Sequence, residues 1–229
     1  MDPLTAPRPR VYALVLGLAL LLLGTLGIGA KGARAGSMDG VWFTVHGGVT
    51  LNAAVNLDST GSSLTLEATE DAAASFGISC LYRATRLDVG VGLHQFGSGS
   101  FRGLNRARPI GGKVRLTALL NWRYVEEDWG AMYMGFSPGV AFVQHTDHLR
   151  SQVALILGRQ PTQLTGIDDF NSGFSFGSSF GLLLRVRDTL SFYAEAQMVI
   201  TTVEMQQGSE SVDYISAQPL FHIGLAARL

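Results

Sequence analysis

Apolar and polar residues alternate along most of the chain after residue 36. In KVRLTALLNWRY, residues 113 to 124, one side carries Val114, Leu116, Ala118, Leu120, Trp122 and Tyr124. The other carries Lys113, Arg115, Thr117, Leu119, Asn121 and Arg123. A period of two is a strand period. The same alternation recurs in residues 40–51, 74–83, 87–94, 131–143, 173–187, 190–201 and 220–229. Eight strands of about 9 to 13 residues are predicted, long enough to cross a bilayer when tilted near 45°.

In a soluble sheet the apolar faces would pack on a core and the charged faces would meet water. The connections argue otherwise, because their lengths alternate. Residues 84–86, 125–130 and 188–189 are short links, whereas 53–73, 97–112, 144–172 and 202–218 are long. Short turns at one end and long loops at the other belong to transmembrane barrels. An open strand edge would leave backbone groups unpaired in hydrocarbon, so the sheet must close. The prediction is an all-β, eight-stranded antiparallel up-and-down transmembrane β-barrel. Its apolar faces look to lipid, and its Gly-, Ser-, Arg- and His-rich faces look to the lumen. Trp42, Tyr82, Trp122, Tyr124, Trp129 and Tyr193 fall near the short-turn end and are expected to form an interfacial girdle.

The first residues supply an export route. Arg8 and Arg10 precede an apolar run from Val11 to Ile28, and Ala33-Arg34-Ala35 is a small-residue cleavage site before Gly36. This predicts a signal peptide over 1–35 and a barrel domain over 36–229. The run is also long enough for an uncleaved anchor; the small-residue site favours cleavage. The whole sequence holds 17 basic and 18 acidic residues; without four of the former and one of the latter, 13 remain against 17, a net charge of −4. Such a balance gives no reason to expect nucleic acid as a partner. Cys80 is the one cysteine, so no internal disulfide forms.

The last strand, FHIGLAARL, carries a further pattern: His222, Gly224 two residues on, then Ala227 and Leu229 at the antepenultimate and final places. It resembles the C-terminal assembly signal of outer-membrane barrels, although that signal usually ends in an aromatic residue. With the leader and four long connections, the mature chain resembles the small eight-stranded OmpA/OmpX-like barrels. The resemblance implies insertion in the cell outer membrane of a Gram-negative-type cell, with outer-membrane lipid and the barrel assembly machinery as partners. Roles in such barrels range from anchoring to adhesion and narrow channels, and fold does not choose among them.

An eight-stranded barrel is filled by its own side chains, which argues against a wide pore. His46, Asp88, His94, Lys113, Arg115, Arg185, Glu195 and His222 are expected to point inward. Of these, His46, Glu195 and His222 stand on neighbouring strands at similar heights, and with Arg115 and Arg185 they are candidates for one polar lumen layer. That layer is either a satisfied plug or a histidine-based gate of a narrow channel for small solutes. An outer-membrane lipid-modifying enzyme would need a serine, a histidine and an acid in reach. Ser178, Ser179 and Glu195 are available, but Ser178 is predicted to face lipid and Ser179 the lumen. His145, Asp147 and His148 could hold a metal, yet short polar loop clusters are ordinarily just solvated. No cofactor, metal or catalytic residue is called for. The reading is a non-enzymatic envelope or surface-interaction barrel, with extracellular ligand unknown. HLRSQVALIL, residues 148–157, is apolar for a loop and is expected either over the barrel mouth or against the outer leaflet.

Overall fold

The computed structural model describes residues 39–59, 65–96, 100–103, 106–109, 112–144, 147–164, 170–207 and 209–229. The expected leader, its cleavage site and His145 lie outside the described residues. The strands are β1 (Gly40–Thr50), β2 (Ala53–Ser59), β3 (Thr65–Glu70), β4 (Ala73–Ala84), β5 (Leu87–Phe96) and β6 (Ser100–Gly103). They continue with β7 (Arg106–Pro109), β8 (Lys113–Glu127), β9 (Gly130–Gln144), β10 (Phe170–Arg187), β11 (Leu190–Gln207) and β12 (Glu210–Arg228). A helix, α1 (Asp147–Ile156), lies between β9 and β10.

Hydrogen-bonded neighbours run β1-β4-β5-β8-β9-β10-β11-β12, and β12 pairs back onto β1 from Trp42 opposite Arg228 to Thr50 opposite Leu220. The ring of eight strands is therefore closed and antiparallel. The remaining four strands lengthen members of the ring. After two residues without a ladder partner, Leu51 and Asn52, β2 carries β1 onward beside β12, with Ala54 opposite Ala217. Asp71 and Ala72 interrupt β3 and β4 in the same way. The short hairpin β6–β7 similarly prolongs β5 and β8, and pairs with β3.

Strand alternation is as expected. Phe43, Val45 and Val49 are exposed on the outside of β1, as are Leu87 and Leu93 on β5, Met134 and Phe136 on β9 and Phe192, Met198 and Ile200 on β11. The inward set includes Thr44, His46, Ser79, Asp88, His94, Arg115, Thr117 and Glu195, all buried. Short-end turns are two residues each, Thr85–Arg86, Asp128–Trp129 and Asp188–Thr189. Thr85 takes a positive φ of 54° there. Gly130 leaves its turn at φ 153°, and a side chain at that position would run into the Leu183 carbonyl.

Two expectations need correction. Trp42 and Tyr193 do not join a lipid-facing girdle. Trp42 is 1% exposed inside the barrel with the Arg83 guanidinium 4.2 Å above its ring, and Tyr193 stacks on Tyr133 in the lumen. Trp122 and Trp129 are exposed on the outside as expected. The second correction concerns the long connections. Most of 53–73 and 202–218 and part of 97–112 is strand, so the wall rises well beyond the lipid belt. The 19 residues of β12 extend about 60 Å at 3.3 Å per residue, or about 45 Å of height at 45° tilt, against an apolar band about 25 Å tall.

In that upper part the faces exchange chemistry. Inward positions are Val55, Leu57, Val203, Met205, Val212 and Tyr214, each at most 2% exposed. Outward ones include Asn56, Glu67, Thr202, Glu204 and Gln206, all exposed. Leu149, Val153 and Ile156 recur at i, i+4 and i+7 on α1, so they share one face, which packs into this apolar cluster. The helix thus lies over the barrel mouth, the first of the two places expected for residues 148–157.

Candidate functional site

The lumen is built in layers set by the height of inward positions on each strand. At the short-turn end Asp88 bridges two arginines, with Oδ1 3.0 Å from Arg123 Nε and Oδ2 3.5 Å from Arg83 Nε. Arg123 also reaches Glu126 at 2.9 Å. Three of these groups are almost wholly buried, which a charge tolerates only with such partners. Trp42, Leu81, Tyr133 and Leu183 form the apolar part of the interior beside them, with Tyr193 packed against it. The Tyr133 hydroxyl donates to Glu195 Oε2 at 2.8 Å, and Tyr193 and Ser179 also hydrogen-bond to that carboxylate.

Three histidines meet in the next layer. His46 Nε2 and His94 Nδ1 are 3.2 Å apart, and ring centroids lie 4.7 Å apart for His46 and His222 and 5.9 Å for His94 and His222. Their exposures are 1%, 3% and 0%. Glycines on the adjoining strands, and on β5 itself, make the room. A Cβ on Gly77 would sit 2.2 Å from His46 Nε2, one on Gly92 2.8 Å from His94 Nε2, and one on Gly48 2.7 Å from His222 Cδ2. Gly224 has the same function behind His46, whose Cα would be 2.7 Å from an added Cβ. His222 Nε2 shares a 2.9 Å hydrogen bond with Ser75 Oγ.

Beside and above the histidines, Arg115 donates to Gln197 Oε1 at 3.4 Å and to the Ser137 carbonyl at 3.3 Å, and Gln197 donates to Ser137 Oγ at 2.9 Å. Phe96, Val199 and Leu220 make an apolar cluster. Lys113 Nζ donates to Glu70 Oε2 at 2.5 Å, and Tyr214 and Gln218 also donate to Glu70, at 3.4 and 3.5 Å. The apolar cluster under α1 closes the top. A cavity bordered by His46, His94, Tyr193, Glu195 and Asp88 measures about 20 Å³, room for about one water.

The structure therefore brings His46 and His222 together, as expected, but adds His94 from a strand that does not adjoin theirs. Glu195 is the ladder partner of His222, yet its carboxylate turns to tyrosines. Arg115 lies within the polar lumen. Arg185 does not join the layer. It is half-buried at a bulge, opposite Ser191, four residues along β10 from Gly181, the partner of Glu195. Four strand residues span about 13 Å, so Arg185 stands near the short-turn rim and not at the level of Glu195. Of the expected assembly pattern, His222 and Gly224 are thus lumen-packing residues, Ala227 pairs with Phe43 and Leu190, and Leu229 is exposed with its N–H donating to the Val41 carbonyl at 2.9 Å. Ser178 is exposed on the lipid side, and Ser179 faces the lumen bonded to Glu195. Ser75 and His222 are a serine–histidine pair, but both are buried and no acid is bonded to the free ring nitrogen.

A closed ring with apolar residues outside and charged layers inside can serve only in a membrane, and comparison of folds agrees. The outer membrane protein OprG of Pseudomonas aeruginosa matches with a TM-score of 0.53 and 14% identity, covering 85% of this chain and 98% of that one. The chain has the fold of the outer-membrane β-barrels. Neisserial surface protein A matches it at a TM-score of 0.49 and 12% identity over 83% of this chain and all of the other. Ail, the attachment invasion locus protein of Yersinia pestis, matches at 0.34 and 12% identity over 80% and 99%. No family model matches the sequence, and no curated protein does.

Proposed function

We propose that the barrel is a non-conducting, non-enzymatic membrane anchor whose helix-capped upper half meets the cell exterior. The observation that carries this reading is the filled lumen. Two buried ionic layers, an aromatic layer and an apolar cap lie one above another, and the cavity between them holds about one water. A solute path would have to dismantle each of these, and buried ion pairs are costly to open because each charge left behind is uncompensated. The upper wall presents polar side chains such as Asn56, Glu67, Glu204 and Gln206 to water, together with the Arg159–Glu210 pair at 2.6 Å and the exposed Leu155 of α1. This is a surface suited to interaction, held clear of the lipid headgroups by the long strands.

Planar-bilayer recording of the refolded protein tests it. No conductance steps are expected, either from the wild type or from a variant with residues 147–164 replaced by a Gly/Ser linker, since the ionic and aromatic layers remain. Sustained unitary steps from the wild type would favour the channel for small solutes instead.

A further inference from the structure

From the side chains gathered at mid-lumen we infer that His46, His94 and His222 form a binding site for one divalent transition-metal ion of the zinc or copper class. One ring nitrogen from each residue falls within 4.8 Å of the others. A tetrahedral ion with bonds of 2.0–2.1 Å holds neighbouring nitrogens about 3.4 Å apart. The 3.2 Å separation of His46 Nε2 and His94 Nδ1 already has that spacing, and small side-chain rotations bring in His222. Imidazole is a ligand type suited to zinc, copper and nickel.

Further features single the cluster out from ordinary buried histidines. With Ser75 on its Nε2, His222 has only Nδ1 left to ligate the ion, and that nitrogen is buried with no hydrogen-bond partner among the described residues. Uncompensated buried polar atoms are uncommon in native interiors and call for an explanation. Gly77 leaves its inward space to the His46 ring alone, since an added Cβ would meet Nε2, Cε1 and Cδ2 of that ring at 2.2–3.0 Å. Ser75 fixes one nitrogen of His222, the kind of outer contact that orients a metal-binding imidazole. The small cavity bordering His46 and His94 has space for a fourth, water ligand. Glu195, which borders this cavity and is held by hydroxyls rather than by an ion pair, offsets part of the positive charge that an ion adds near Arg115.

The ion would tie β1, β5 and β12 together across the lumen. Layers above and below enclose the site, so loading accompanies folding. The test is refolding into detergent micelles with Co²⁺ or Zn²⁺, followed by desalting and metal analysis, with folding checked by the mobility of unheated samples on gels. The expected result is about one retained ion per chain, four-coordinate Co²⁺ absorption bands and a higher temperature of gel-mobility loss with Zn²⁺. His94→Gln and His222→Gln should fold but lose the bands and the Zn²⁺-dependent rise. His145→Gln/His148→Gln, which alters the two histidines outside the cluster, should keep both. Absence of retained metal in folded wild type overturns the assignment, as does equal retention by folded His94→Gln. If the histidine variants do not fold, X-ray absorption of the Zn²⁺-loaded wild type decides: an imidazole shell supports the site, and an oxygen-only shell overturns it.

Discussion

Along the lower part of β11 the outward side chains are Phe192, Ala194, Ala196, Met198 and Ile200, and above them come Thr202, Glu204 and Gln206. The inward side chains of the same strand run from Ser191, Tyr193, Glu195 and Gln197 to Val203 and Met205. One uninterrupted strand thus serves two solvents. Within the bilayer it must show lipid an apolar face, and its lumen is filled by hydrogen-bonded polar groups. Above the bilayer it returns to the arrangement of a soluble barrel, with a dry interior completed by α1. In β1–β2 the same change coincides with a slip in alternation. Inward positions are even-numbered up to Thr50 and odd-numbered from Ala53, because Leu51 and Asn52 add a residue relative to β12.

The buried Lys113–Glu70 pair stands where the two regions meet, and its loss should have the largest effect. Glu70→Gln leaves Lys113 uncompensated and is expected to cost about 3–5 kcal/mol in reversible unfolding from lipid vesicles. A neutral result would mean that water reaches this level and that the upper half is not sealed. Next come truncations of the dry interior. Leu57→Ala, at a side chain with 0% exposure, should cost about 2–5 kcal/mol, as a soluble core would.

Arginine on the outside separates the regions most sharply. Met198→Arg lies in the apolar belt and should cost about 2–4 kcal/mol, whereas Gln206→Arg stands in water and should change stability by less than about 0.5 kcal/mol. Equal costs would erase the boundary between Ile200 and Thr202. Within the lumen Glu195→Gln removes a charge held by tyrosine and serine hydroxyls rather than by an arginine pair, so about 1–3 kcal/mol is expected from the same unfolding measurement.

The belt is what made the fold readable in the sequence. Lipid-facing Leu116, Phe180 or Phe192 alternates with lumen-facing Thr117, Gly181 or Ser191, and the closed ring follows from hydrocarbon's intolerance of unpaired backbone. The upper strands escaped because their alternation carries the opposite meaning. In TTVEMQQ, residues 201–207, apolar Val203 and Met205 point inward, so a search for apolar-outward segments passes over them. His46 and His222 were accessible by counting from the short turns of adjoining strands. His94 was not placed with them, because β4 separates β5 from β1 and only the stagger of a closed barrel brings its ring across.

A spin-label scan of β11 tests the two-solvent account most directly. Single cysteines would be placed at 192, 194, 196, 198, 200, 202, 204 and 206 in a Cys80→Ser background, with the barrel in lipid vesicles. Labels from 192 to 200 should be accessible to oxygen and shielded from a water-soluble nickel complex, and labels from 202 to 206 should show the reverse. Lipid-like accessibility continuing through 206, or nickel access at 196 and 198, would contradict it.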